Sequence, residues 1–488
     1  MLPVGSSKTI ITVFGRSDMT GIFEVDVKRI SKELYTDDNF DMVNKALVIG
    51  EKRAALFTVD GFCKDAVAQR LLDALLKLKK SDIDTARNMQ DFSDRFVPYT
   101  ETGVVSDYPS IVDKVLCGQS VLIIDGFSDA LEIDLRTYPM RGITEPEKDR
   151  SLRGSRDSFV EALVSNSTLI RRRIRDPRLK MEYMQIGKVS KADVAICYLK
   201  GAASEKQVEL LRKRLQKINV EGVALTSQAL SELLVPTKFF NPLPKIKFTE
   251  RPDYASACII EGRVALIMDN SPSVMLFATS FADFWKEVDD YYFPPITGSF
   301  VRCIRIIVSL LTVYLTPIVL FYNLHIDYLP HWLDFLYIQG STTMPLLEQF
   351  IILELLVDGL KLASINTPTS MTSSLGIIGG LLLSEFAVSA GWFVPDTIMY
   401  GAFVSITNYA QPSYEMGYAM KFARLMLLIF VQIFSYWGFV IGTAIMLAIL
   451  LGTRTLGGRG YLYPIIPFDF KKFTKLFIRT KIKNRESE

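Results

Sequence analysis

The sequence predicts a mixed architecture: two tandem cytoplasmic α/β subdomains followed by an α-helical multi-pass transmembrane domain. Three observations predict it. From Arg302 to Gly452 apolar segments follow one another, and the only basic residues among them are Arg302, Arg305, Lys361, Lys421 and Arg424. A Lys or Arg at the centre of a bilayer helix costs roughly 2.5–3.5 kcal/mol, so such scarcity is what a hydrocarbon solvent demands. The chain before that region is charged and patterned, with no apolar run long enough to span. That polar part also repeats itself loosely. A mean hydropathy of +0.22 with 22% charged residues is thus an average over two unlike halves.

The repeat is visible in two places. Asn44–Leu78 and Ser190–Ile218 both run from a polar Lys-Ala start through a β-rich stretch to a glycine turn (Gly61, Gly201) and then an amphipathic helix. CGQSVLIIDG (Cys117–Gly126) is echoed by EGRVALIMDN (Glu261–Asn270). Both echoes fall at about the same offset, roughly 145 residues, which chance similarity would not give. Subdomain 1 is therefore placed at 1–150 and subdomain 2 at 151–298, with Arg141–Arg156 as connector. The membrane domain follows at 299–452 and a basic cytoplasmic tail at 453–488. Strands are expected at Ala46–Ile49, Ala54–Val59, Ser120–Ile124, Val194–Leu199, Ala257–Ile260 and Val264–Met268, each apolar or β-branched and bounded by turn residues. Helices are expected at Lys64–Lys79, Ser158–Arg173 and Glu205–Lys217, from apolar residues at three- and four-residue spacing. This order implies small mixed sheets with helices on one side.

The polar part carries no pattern of catalysis. There is no phosphate-cradling Gly-x-x-x-x-Gly-Lys, no Gly-x-Ser-x-Gly and no Rossmann glycine triplet. Both histidines, His325 and His331, lie in one loop between apolar segments, a poor metal signal that reads as water-facing imidazole. The five cysteines are scattered without paired spacing and read as reduced, mostly buried small hydrophobes. Neither an enzyme nor a cofactor or metal is expected. A net charge of +3 argues against nucleic acid. MLPVGSSKTI is not a charged segment followed by an apolar one, so the polar part is expected in the cytoplasm. One cluster stands out: Arg171, Arg172 and Arg173, with Arg175 and Arg178. It reads either as the solvated, dipole-favoured end of a helix or as a docking site for anionic lipid or an acidic subunit.

In the apolar part, Phe300–Asn323 is a first span with Arg302 and Arg305 at its start, which places that end inside. The next loop has no Lys or Arg, whereas the tail carries Lys471, Lys472, Lys475, Arg479, Lys481, Lys483 and Arg485. Both termini cytoplasmic requires an even number of crossings, four or six, and six suits the positive-inside rule better. Leu375–Trp392 and Asp396–Gln411 are short apolar segments, and Arg424–Leu451 is one kinked helix or a hairpin interrupted at Ser435-Tyr436-Trp437-Gly438. Leu346–Ser364 is interfacial or packed inside the bundle. Its Glu354, Asp358 and Lys361 share a helix face, where mutual pairing is favoured. Glu385 lies among Gly376, Gly379, Gly380, Ser384 and Ala387. Small residues permit close helix approach, and a carboxylate there needs water or a partner. Around a symmetric ring, Ser384 and Glu385 would form a polar collar suited to cations, with Gly379 and Gly380 beside it; bonding within one subunit is the alternative.

Five blocks then resemble one family in its own order: Leu152–Gly201, Phe248–Leu276, Asp289–Ile306, Ile377–Trp392 and Gln411–Leu428. They are similar to the A subunits of spore germinant receptors, the GerA family. SEFAVSAGWF, NYAQPSYEMGYAMKF and GRGYLYPIIPFDFKK look most like its stage V sporulation AF branch, although Arg153-Gly154-Ser155-Arg156 departs from the Arg-Gly-Pro-Arg of many receptor subunits. The resemblance implies a homo-oligomeric protein of the inner spore membrane that works with other germination membrane proteins and conducts monovalent cations from the spore core. A non-conducting scaffold and a component of dipicolinate transport are the alternatives.

Overall fold

The computed structural model describes residues 18–63, 65–136, 155–220, 226–235, 240–277, 279–287, 292–326, 331–338, 343–368, 371, 376–380, 385–456 and 460–478. Ser384, most of the expected connector and the tail from Arg479 onward lie outside them. Contacts divide the chain into a polar unit and a helical unit. The helical unit takes Thr237–Lys247 and everything from Thr279, so it begins before the boundary expected at 298. Phe281 and Trp285 explain this, because they pack with Tyr461 and the helices rather than with a sheet.

In chain order the first half of the polar unit contains α1 (Phe23–Leu34), β1 (Met42–Ile49), β2 (Lys52–Val59), α2 (Asp65–Leu76), α3 (Lys80–Asp84), α4 (Met89–Phe96), β3 (Thr102–Val105), α5 (Tyr108–Leu116), β4 (Ser120–Ile124) and β5 (Ala130–Ile133). The sheet order is β1-β2-β4-β5-β3, and every neighbouring pair is antiparallel. Mixed sheets covered on one side are thus replaced by an antiparallel sheet covered on both. Ala55, Phe57 and Val59 of β2 face α1 and α5. Ala54 and Leu56 face α2 and α4. Burial on both faces is why β4 reads as an unbroken apolar run, with all its residues buried. Local chemistry starts the helices: the Asn88 and Asp107 side chains accept from Asp91 N–H and Ser110 N–H at 2.8 and 2.9 Å.

The second half repeats this plan with α6 (Leu163–Arg173), β6 (Leu179–Ile186), β7 (Ala192–Leu199), α7 (Glu205–Gln216), α8 (Thr226–Leu234), β8 (Lys247–Thr249), α9 (Pro252–Ile260), β9 (Val264–Met268) and β10 (Val274–Phe277). Its sheet order, β6-β7-β9-β10-β8, matches the first strand for strand. One expected strand is wrong, since Ala257–Ile260 is the last turn of α9. Pro252 in the first turn fixes a helical φ there, as Pro109 does in α5. A short buried apolar run does not reveal its period, which is why the pattern misled.

The two halves meet through α6. Arg171 is fully buried and holds Asp41 of the first half with two bonds, Nε to Oδ2 at 2.8 Å and Nη2 to Oδ1 at 3.0 Å. Its third nitrogen donates to the Leu179 carbonyl. Backbone bonding continues the contact from Phe40 N–H to the Met181 carbonyl, with Met181 N–H donating to Asn39 Oδ1. Gly61 has φ +79°, and a Cβ there would overlap Thr168 of α6. Burial pushes the nearby Cys197 thiol up to about 12, so it stays a neutral core side chain.

Arg171→Met therefore leaves the Asp41 carboxylate buried and unpaired, at a cost of about 3–5 kcal/mol. Hydrogen exchange of β2 and β7 amides in the detergent-solubilised chain should accelerate by the matching factor. Arg172→Met, at an exposed position, should change exchange by less than about 0.5 kcal/mol.

Candidate functional site

The helical unit contains α10 (Pro295–Leu324), α11 (Leu346–Asn366), α12 (Pro395–Tyr409), α13 (Tyr414–Gly452) and α14 (Phe470–Phe477). Among the described residues, α10 and α13 are long and apolar enough to cross a membrane. α13 is not one rod. Ser435 has φ 56° and ψ −127°, and the two segments beside it fold back on each other. A Cβ at Gly438 would overlap the Phe430 carbonyl, and one at Gly442 would lie 2.7 Å from Leu427 Cδ2. On a straight helix those pairs would be about 12 and 22 Å apart. Of the two readings left open by the sequence, the structure takes the hairpin.

Contacts fix the direction of each helix. Ser309 donates to Gln411 at 2.9 Å, Arg424 to the Thr312 carbonyl at 2.7 Å, and Ser435 Oγ lies 2.6 Å from His325 Nε2. The first half of α13 thus runs alongside α10 in the same direction, and its second half returns. Gln349 accepts from Val394 N–H at the start of α11 and α12, and Lys361 lies by Tyr409 at their ends. Both run opposite to α10. Just before these two helices, Thr343 N–H donates to the Gly391 carbonyl. Among the described residues α10 and the first half of α13 thus run one way, and α11, α12 and the second half of α13 run the other. Arg302, Arg305 and Lys361 lie toward one end, while His325, Asp334 and the Ser435 turn lie toward the other. Arg305 donates to the Trp285 carbonyl at 2.8 Å and pairs with Glu287 at 2.5 Å.

The centre of the site is an ion network between α11 and α13. Glu354 pairs with Arg424 through one oxygen and with Lys421 through the other, at 3.0 Å for the lysine. Lys421 also reaches Asp358 at 2.5 Å. Arg424 is fully buried, and Lys421 and Glu354 nearly so. The pairing expected among Glu354, Asp358 and Lys361 is therefore corrected. The two acids do share a face, but the cations that answer them stand one turn apart on α13. Lys361 instead lies 4.6–5.3 Å from the ring centres of Tyr409, Tyr414 and Tyr418. The missed signal was Lys421 and Arg424 themselves, a basic pair inside an apolar segment that must find counter-charge.

The collar candidates divide. Gly379 is a packing position, because a Cβ there would come 2.5 Å from Leu360 Cδ2, whereas nothing lies within 4 Å of one at Gly380. Glu385 is exposed, between exposed Ile378 and Phe386. Among the described residues no cation pairs with it. The arginine cluster also divides. Arg171 is internal and cannot dock anything, and Arg173 pairs with Asp157. Arg172 and Arg175 are exposed, and Arg175 donates to Cys117 Sγ at 3.5 Å. No sequence signal pointed to a cleft of about 1000 Å³ between the halves of the polar unit, lined by Asp38, Lys180, Glu182, Tyr198 and Arg212. Its charges are linked: Glu182 accepts from Tyr198 at 2.7 Å and from Arg212, and Lys180 pairs with Asp38 at 2.7 Å. Burial and the Glu182 carboxylate hold the Tyr198 hydroxyl above its ordinary range, so it stays protonated. Among the described residues no group of three metal-ligating side chains comes together.

Glu354→Gln keeps the shape but leaves Arg424 buried without a counter-charge, at a cost of about 3–5 kcal/mol. The variant should lose its monodisperse size-exclusion peak at a markedly lower temperature than the parent. Lys361→Met removes only a cation–π contact and should cost about 0.5–2 kcal/mol on the same measurement.

Comparison with known proteins bears on this arrangement as a whole. The family model described as Bacillus/Clostridium GerA spore germination protein matches residues 28–488. Stage V sporulation protein AF of Bacillus subtilis (strain 168) is 32% identical over 444 residues, covering 91% of this chain and 89% of that one. Spore germination protein GerLA of Bacillus cereus is 27% identical, covering 94% and 93%. Spore germination protein KA of Bacillus subtilis (strain 168) is 25% identical, covering 88% and 79%. The crystal structure of the N-terminal domain of the A subunit of the Bacillus megaterium spore germinant receptor GerK3 matches with 26% identity and a TM-score of 0.41, over 53% of this chain and 96% of that one. With the match running through both units, the chain belongs to the GerA family of spore germination proteins.

Proposed function

We propose that this germination-related subunit spans the inner spore membrane six times and that copies of it surround a pathway for monovalent cations. The topology reading is supported by the alternating directions of the described helices and by the distribution of charge. Arg302, Arg305 and Lys361 lie toward the end where the chain enters and leaves the unit. The loop at the other end has no Lys or Arg and carries exposed Trp332 and Phe335. That asymmetry suits an inside end and an outside end. Both termini then lie in the cytoplasm. α11 and α12 fit this reading as internal segments, because Glu354 is neutralised by α13 and Gly401 lets Leu353 approach closely.

The observation that carries the conduction reading is Glu385. An exposed carboxylate next to exposed Phe386 does not suit a lipid-facing surface, since a charge there is expensive. A neighbouring copy and water on the same face remove that penalty, and a ring of such carboxylates concentrates cations. Other germination membrane proteins are its expected partners, in keeping with the names of the relatives.

Purified chain in planar bilayers tests conduction. Glu385→Gln keeps shape and hydrogen-bonding capacity, so assembly should survive while cation conductance or selectivity falls. Glu385→Leu should dry the collar and abolish conductance. Unchanged ion release from spores carrying Glu385→Gln at normal protein level would move the pathway elsewhere.

A further inference from the structure

The helix α14 is short, but its two faces differ sharply. Asp469 stands at its N-cap position and accepts Phe473 N–H on its carbonyl at 2.7 Å, and an acidic residue there favours the helix start. At 100° per residue, Phe470, Phe473, Leu476 and Phe477 fall on one arc. Positions 471, 472 and 475, all lysine, fall on the opposite arc. The aromatic arc is organised: ring centres lie 5.4 Å apart for Phe468 and Phe473 and 5.3 Å apart for Phe473 and Phe477. It is also open. Phe468 and Phe470 are 64% and 68% exposed, and Ile465, Ile466 and Ile478 are exposed beside them. A soluble surface has little reason to present five large apolar side chains together. α14 packs against α10, which is itself a candidate span.

We propose that α14 is an interfacial helix that docks on anionic lipid headgroups, with its phenylalanines in the acyl boundary and its lysines at the level of the phosphates. The occupant follows from charge and shape. Clustered lysines select a negative surface, and an aromatic arc inserts where hydrocarbon begins. Acidic protein would satisfy the lysines but leave the phenylalanine arc in water, whereas a bilayer satisfies both at once. A zwitterionic bilayer would take up the aromatics without using the lysines. The inference rests on reading α10 and α13 as spans, because that reading brings α14 to a membrane surface. Docking ties the C-terminal segment to the lipid composition of the membrane, so the orientation of α10 becomes sensitive to headgroup charge.

The test uses the full chain in nanodiscs of phosphatidylcholine alone or of phosphatidylcholine with phosphatidylglycerol, followed by hydrogen exchange of the 470–477 amides. Exchange should slow at least about tenfold in the anionic discs, and added salt should reverse part of that. Lys471→Gln, Lys472→Gln and Lys475→Gln together preserve helix propensity and should erase the difference between the two lipids. Phe470→Ser with Phe473→Ser should weaken protection in both. Equal protection in the two lipids for the parent chain would overturn the proposal, as would a lipid difference that survives in the glutamine variant. Failure of the chain to insert into either disc would instead contradict the spanning reading, which keeps the two failures apart.

Discussion

Two carboxylates and two cations on facing helices decide how the helical unit is built. Moving any one of Glu354, Asp358, Lys421 or Arg424 out of water alone would cost several kcal/mol, by about the margin that holds a whole domain folded. Together they are neutral, and Arg424 uses a further N–H on the Thr312 carbonyl of α10. Three helices are thereby bound to one set of charges. A network of this kind adds little net stability compared with apolar packing of the same volume. What it supplies is register, because a slip of one turn in α11 or α13 would bury unpaired charge. The close approach of Leu353 to Gly401 depends on that register being kept.

The polar unit uses the same device once. Arg171 and Asp41 fix the angle between two halves that are otherwise copies of one five-stranded plan. Duplicated halves have similar surfaces and could meet in several ways. A buried bidentate pair accepts only one. Gly61 allows α6 to come close enough to form it.

The sequence carried the local part of this plan. Val264–Met268 and Ser120–Ile124 are buried on both faces, so their apolar runs stand out and their bounds were read correctly. The repeat was legible because its two copies keep the same order of turn and helix. Edge strands were legible only in part: Ala46–Ile49 was expected but not the rest of β1, which has four exposed residues in succession, and β3 and β8 have only four and three residues. Long-range pairing was out of reach as well. Arg171 looked like the solvated end of a helix because its partner, Asp41, lies 130 positions away. Glu354 and Arg424 are 70 positions apart, so spacing on one helix suggested Lys361 instead. In the apolar part, the break at Ser435 was visible as a polar interruption, but only the backbone shows that the chain turns back there. Of the collar candidates, the glycines differ by what packs on them, which a sequence does not record.

Family membership identifies a germination protein, and the charge network is meaningful for that role only if it lies within the bilayer between an inside and an outside end. Labelling intact cells with a membrane-impermeant thiol reagent tests this arrangement most directly, using single cysteines in a background with the native ones replaced. Tyr436→Cys at the hairpin turn and Trp332→Cys in the basic-free loop should react, whereas Lys80→Cys in the polar unit should react only after the membrane is opened. Labelling of Lys80→Cys in intact cells, or protection of Tyr436→Cys with Trp332→Cys labelled, would contradict six crossings with the basic end inside.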